Sequence, residues 1–215
     1  MPVRVVVFDL DGTLVESSRD IATAANLALA QVAPGAPPLA LDVVRSFVGS
    51  GARTLIERCL RASGLELPAA DVLPLFLEAH RGCMLDTTRP YPGVEEALDA
   101  LGPRVLAILT NKPGDLSREL LQGLGLLHRF RRVYGGGDLP ERKPDPGGLL
   151  RILEEAGATP AEGVMVGDSD LDVLTGRTAG VLTVGVSYGF DPGSLRAAPP
   201  DLLLDDLRQL PARLG

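Results

Sequence analysis

Asp9 and Asp11 follow a run of mostly β-branched residues, Val3–Phe8, and stand two positions apart in Asp9-Leu10-Asp11-Gly12-Thr13. Residues at that spacing on an extended chain project to the same side. Two buried carboxylates so placed repel each other and call for a cation or a shared proton. Hard oxygen ligands of this kind suit Mg²⁺. Gly12 and Thr13 add backbone N–H groups in a tight turn, an arrangement that binds anions. Three further clusters supply complementary groups. Thr110 and Asn111 follow Val105–Leu109 with a hydroxyl and an amide, neutral donors for phosphate oxygens. Lys143 precedes Pro144, whose ring stiffens the approach of the lysine. Asp168 and Asp172 follow Val164–Val166 about one helical turn apart on one face. Ser169 is also a candidate helix cap and Asp170 suits the helix dipole, a structural reading of part of this acidity. His80 and His128 fall outside all four clusters, so the chemistry has no histidine base and these residues are assigned to core or surface.

The elements that must position these groups are legible as period and punctuation. Four short apolar runs, Val3–Phe8, Val105–Leu109, Val164–Val166 and Val181–Val184, are each followed by polar or glycine-rich residues. Such runs predict strands buried on both faces, hence a parallel sheet. Helix-like stretches at 93–101, 114–124, 146–156 and 169–178 alternate with them. Residues 132–134 and 202–204 add two weaker strand candidates. In an α/β sheet of this type ligands gather at the carboxyl ends of the strands, where the polar clusters stand.

Residues 15–86 break the alternation. Ser17-Ser18-Arg19-Asp20 predicts a capping box opening a first helix that runs to Pro34-Gly35. Further helices are predicted near 40–48, 52–63 and 69–84, the third with Leu55, Ile56, Cys59 and Leu60 on one face. No strand signal is present in this stretch. The organisation expected is a doubly wound α/β core of residues 1–14 and 87–215, Rossmann-like, with an all-helical insert at 15–86.

The 215 residues are 45% hydrophobic and carry a net charge of −7, which disfavours nucleic acid and anionic membrane as partners because both require a basic face. Apolar runs of about five residues fall far short of the ~18 that span a bilayer. Asp9 interrupts the only apolar stretch near the start, so no secretory leader is expected. Two cysteines, Cys59 and Cys83, fit core positions in a reducing cytoplasm. Of 21 basic residues only Lys112 and Lys143 are lysine. An ammonium kept against an arginine background marks both as candidate sites, since the two side chains are not interchangeable. For Lys112 two readings stay open: a place at the border of the site, or a surface pair with Asp115.

Asp9-Leu10-Asp11-Gly12-Thr13-Leu14, Thr110-Asn111, Lys143-Pro144 and Gly167-Asp168 with Asp172 stand in the order of the four motifs of the haloacid dehalogenase-like hydrolases. The chain resembles that family over essentially its whole length, helical insert included. Within the family, Tyr91-Pro92-Gly93-Val94, Thr110-Asn111-Lys112-Pro113, Arg142-Lys143-Pro144-Asp145-Pro146 and Gly49-Ser50-Gly51-Ala52-Arg53 are most similar to phosphoglycolate phosphatases. Glu16 stands where Asp is commoner, and Asp145 where small residues or His are frequent.

The resemblance implies a Mg²⁺-dependent phosphatase in which Asp9 attacks phosphorus and forms an aspartyl-phosphate. Asp11 would protonate the leaving oxygen and later activate water. The metal would be held by Asp9, the backbone carbonyl of Asp11 and Asp168, with Asp172 behind them or acting through water. Lys143 would neutralise the phosphoryl group and Asp9, and Thr110, Asn111, Gly12 and Thr13 would orient its oxygens. A helix start preceded by Gly49-Ser50-Gly51 is an anion site, and Arg53 in its first turn offers a bidentate grip on a carboxylate. Gly51 and Arg53 are therefore expected to bind the carboxylate of phosphoglycolate, with an Arg53–Glu57 ion pair as the plainer reading. Sugar phosphates, nucleotides or pyrophosphate are alternative substrates, and a phospho-accepting binding module without turnover is the alternative of another class. The expected partner is a small phosphorylated metabolite, and the expected assembly a monomer or homodimer.

Overall fold

The computed structural model describes residues 2–215. The chain runs through β1 (Val5–Phe8), β2 (Val15–Glu16), the helices α1 (Ser18–Val32), α2 (Leu41–Arg45), α3 (Ala52–Ala62) and α4 (Ala69–Cys83), then β3 (Arg89–Pro90). It continues as α5 (Val94–Ala100), β4 (Val105–Pro113), α6 (Gly114–Gly123), β5 (Arg132–Gly136), α7 (Gly147–Glu155), β6 (Gly163–Gly167) and α8 (Asp170–Ala179). It ends with β7 (Leu182–Val186), α9 (Ser194–Ala197), β8 (Leu202–Leu204) and α10 (Leu210–Leu214).

Six strands form one sheet in the order β5-β4-β1-β6-β7-β8, and every pairing in it is parallel. The two-residue period of a strand explains how β1 serves two layers at once. Val6 and Phe8 join the apolar cluster containing α5, α6 and α10 residues such as Leu98, Leu120 and Leu210. Val5 and Val7 join the opposite cluster with Leu149, Ile152 and Leu153 of α7. β1 is thus buried on both faces, and its central place puts Asp9 between the ends of β4 and β6. This is the doubly wound, mostly parallel α/β fold that the apolar runs predict.

The helices α1 to α4 share a third cluster, in which Ala24, Ala25, Ile56 and Val72 are fully buried. Alanines along α1 allow close approach of α4. Two local expectations differ. Val15–Glu16 is a short strand, paired antiparallel with Arg89–Pro90, so the two connections into the helical layer form a small ribbon. Two residues are too few to leave a periodic signal. The capping box at Ser17 does not form: the Ser17 hydroxyl donates to Asp11 instead, and the Asp20 carboxylate leaves the helix start altogether. Asp20 accepts from the backbone N–H and hydroxyl of both Thr87 and Thr88 at 2.6–3.1 Å. Among the described residues no helix is long and apolar enough to cross a membrane.

Candidate active site

β1 and β6 end side by side while β4 runs on beside them, and their register delivers Asp9, Thr110 and Asp168 to one rim of the sheet. The Asp9 backbone N–H donates to Val166 O at 2.9 Å, so the acid is held by the strand that carries Asp168. Gly12 has φ +85°, and a Cβ there would collide with the Asp168 carboxylate. Gly167 plays a similar part, since a Cβ would occupy the place of the Asp172 side chain. Only glycine lets these acids approach the backbone so closely.

Asp9, Asp168 and Asp172 are all buried, and one carboxylate oxygen from each lies within 4.8 Å of the others. Lys143 Nζ reaches Asp172 Oδ1 at 2.6 Å and Asp9 Oδ1 at 2.9 Å. The Asp9 contact is a charge contact rather than an aligned hydrogen bond, for Asp9 Oδ1 has no hydrogen-bond partner. Burial, then the charges of Asp172 and Asp9, push Asp168 well above the ordinary carboxylate range, against the Phe190 N–H donated to its Oδ2 at 2.7 Å. Burial also raises Asp9, only partly offset by Lys143 and reinforced by Asp172. Burial opposes the charge on Lys143, but Asp172 and Asp9 outweigh it and hold the ammonium protonated. Three acids around one cation leave a net negative, water-poor pocket. The donor set is all oxygen, which fits a hard divalent ion such as Mg²⁺.

The Asp11 carboxylate lies outside this group. Its Oδ1 accepts from Ser17 Oγ at 2.6 Å, and both its oxygens lie 3.2 Å from Lys112 Nζ. Lys112 is therefore buried at the site; Asp115 pairs with Arg81 instead. His80, assigned from the sequence to core or surface, is buried beside it with Nε2 3.4 Å from Lys112 Nζ. Its helix, α4, lies some thirty residues away in the chain, and a lone histidine among apolar neighbours carries no motif.

Other predicted residues divide. Thr13 is fully buried with its hydroxyl unpartnered, and Thr110 is buried with its hydroxyl accepting from Lys112 N–H at 3.3 Å. Asn111 departs from its expected role. Its amide donates to Gly49 O at 2.9 Å and Lys143 O at 3.1 Å, so both donors tie the helical layer and the lysine loop together instead of facing a phosphoryl group. Gly51 lines the cleft between helices and sheet, together with Asp9, Asp11 and Lys112. Arg53 does not: it is exposed, lines neither this cleft nor the adjoining opening beside Asp168, and forms no ion pair with Glu57 among the described residues. Position in the first turn set its distance along α3 but not the side it faces; Leu55 and Ile56 claim the inward side. Arg58, one turn on, lines the second opening. Residues 187–190 were also missed. Phe190 anchors Asp168, Tyr188 donates to Thr13 O at 2.9 Å, and Arg45 of α2 lies over the Phe190 ring and donates to Gly189 O at 2.8 Å. Each of these contacts joins segments far apart in the chain, mostly through backbone groups, for which no local pattern exists.

Residues 6–186 match the family model of the haloacid dehalogenase-like hydrolases, and the chain belongs to that family. It is 40% identical over 216 residues to a phosphoglycolate phosphatase of Pseudomonas putida, covering 96% of this chain and 78% of that protein. Identity is 39% over 209 residues to a phosphoglycolate phosphatase of Agrobacterium fabrum, covering 95% and 89%. A crystal structure described as a predicted phosphoglycolate phosphatase from Haemophilus somnus superposes with a TM-score of 0.92 at 30% identity, covering 99% of this chain and 98% of that one.

Proposed function

We propose that this protein is a Mg²⁺-dependent phosphatase of small phosphate monoesters, with 2-phosphoglycolate as its substrate. The observation that carries the reading is the buried meeting of Asp9, Asp168, Asp172 and Lys143, supported by the names of the relatives at 40% and 39% identity. Asp9, Asp168 and Asp172 would hold the ion, with the Asp11 carbonyl as a further ligand; bound there, Mg²⁺ would offset the repulsion between a carboxylate and a phosphate dianion.

The chain's own residues then divide the work. An Asp9 oxygen attacks phosphorus, the ester P–O bond breaks, and Asp11 gives its proton to the departing oxygen. Ser17 and Lys112 hold the Asp11 carboxyl for that transfer. In the second half water attacks the aspartyl-phosphate, Asp11 takes the proton, and the Asp9–phosphorus bond breaks. Lys143 neutralises the transferred group and Asp9, Thr110 and the Gly12–Thr13 turn orient its oxygens, and Asn111 places Lys143. Residues 15–86 serve as a cap that closes the site from water, and residues 1–14 and 87–215 as the catalytic core. Two buried thiols and the acidic charge suit a cytoplasmic enzyme.

Purified protein with Mg²⁺ should turn over 2-phosphoglycolate many times, and Asp9→Asn should lower kcat on the order of 10³-fold or more. Retained turnover in the variant would remove the nucleophile, and one stoichiometric phosphorylation without turnover would indicate a binding module instead.

A further inference from the structure

Holding Asp11 does not exhaust what Lys112 offers. Its side chain is 4% exposed, and its ammonium carries three donor hydrogens. The two Asp11 oxygens, both at 3.2 Å, and His80 Nε2 at 3.4 Å occupy two directions. The third remains for the cleft, which Lys112 lines together with His80, Asp11 and Thr110. His80 enters from α4 of the cap, braced edge-on against Phe76 at 5.4 Å. Burial first, then the Lys112 charge, hold its imidazole neutral, down to about 2. A neutral ring facing an ammonium must present a lone pair on Nε2, so His80 aims Lys112 and adds no charge of its own.

The rest of this wall is apolar, formed by Ile21, Val48, Leu55 and Phe76. The leaving-group side of the cleft therefore offers one fixed cation in a small hydrocarbon chamber. A neutral alcohol can accept from its free donor only through an uncharged hydroxyl, whereas a carboxylate answers it with a charge-assisted hydrogen bond about twice as strong. Arg53, the cation that the sequence offers for this task, faces solvent.

We propose that Lys112, aimed by His80 across the cap–core cleft, is the specificity-determining cation that receives a carboxylate on the leaving group. The substrate class is thereby phosphate esters of short 2-hydroxy acids, as against those of neutral alcohols. This rests on the phosphatase reading above.

The test compares kcat/KM for 2-phosphoglycolate and for 2-hydroxyethyl phosphate, which replaces the carboxylate by CH₂OH. The ratio within one preparation is independent of the fraction of protein correctly folded. The wild type should prefer the acid ester, and Lys112→Met should lower the ratio about 10- to 100-fold, beyond any loss common to both esters. His80→Gln, which keeps an acceptor, should hold the ratio within about 3-fold, and His80→Leu should lower it. A wild type without preference, or a Lys112→Met variant in which both esters fall equally, overturns the proposal while leaving a phosphatase. A wild type that hydrolyses neither ester overturns the phosphatase reading, and this proposal with it.

Discussion

The sheet rim and the helical layer above it face each other across one cleft and are built on opposite principles. The rim is crowded with charge: Asp9 and Asp172 meet Lys143 at 2.6–2.9 Å, Asp168 stands beside them, and strand ends and close glycine turns anchor the three acids. Where it faces Lys112, the helical wall is hydrocarbon relieved by one neutral imidazole, with Arg58 at the adjoining opening. Charge needs a rigid, mutually compensating frame, because an unpaired buried ion costs several kcal/mol. Shape recognition needs only a surface of the right size. The chemistry is thus expected to reside in the rim, and selectivity in the wall with the one cation that faces it.

Removing divalent ions should produce the largest effect. Dialysis against a chelator should abolish phosphatase activity, and added Mg²⁺ should restore it. Full activity without metal would show that Lys143 alone compensates the three acids. Lys143→Met comes next, with kcat expected to fall by about 10²–10³-fold across all esters alike. Stripping the cation from buried acids should also destabilise the fold by about 3–5 kcal/mol, read by urea unfolding. A variant that loses stability yet keeps kcat would reduce the lysine to a structural counter-ion.

The junction between the two regions should give an intermediate effect. Burial of Asp20 works against its charge, but the hydrogen bonds from Thr87 and Thr88 outweigh it and hold the carboxyl below its ordinary value. A folded-state value below the unfolded one contributes stability above about pH 4, and that contribution is lost as pH falls through the folded value. Asp20→Asn should lower stability at neutral pH by about 1–3 kcal/mol, with the gap to wild type closing below about pH 4. A gap that is constant with pH would show that shape, not charge, makes this joint. Arg53→Ala should have the smallest effect, changing kcat/KM for 2-phosphoglycolate less than about 2-fold, as expected of an exposed side chain. A large loss would move the carboxylate grip from Lys112 to α3.

The two regions also differ in how far they are readable from residues alone. Asp9, Asp11 and Asp168 sit within three positions of apolar strands, so local spacing and strand order place them on one rim, and the lysine before Pro144 reaches Asp9 from the loop that follows β5. The burial of Leu55, Ile56, Cys59 and Leu60 on one face of α3 follows in the same way from helical period. Ser17 shows the boundary of such reasoning. Its sequence context is that of a helix cap, yet once the chain folds back its hydroxyl donates to the Asp11 carboxylate, a charge-assisted bond that orients the side chain there and not over the N–H groups of the helix start. Asn111 likewise spends its amide on Gly49 O and Lys143 O, two carbonyls from distant segments.

By itself the order of residues determined the alternation of strands and helices, the interruption at 15–86 and the identity of the acids at the strand ends. These depend on hydrophobic period and on side-chain chemistry, which are properties of short stretches. Only the tertiary structure decided that Lys112 is buried against Asp11, that His80 reaches it from another layer and that Arg53 looks away. Those outcomes depend on how two separately packed bodies meet, and a contact across that gap leaves no trace in the spacing of either partner.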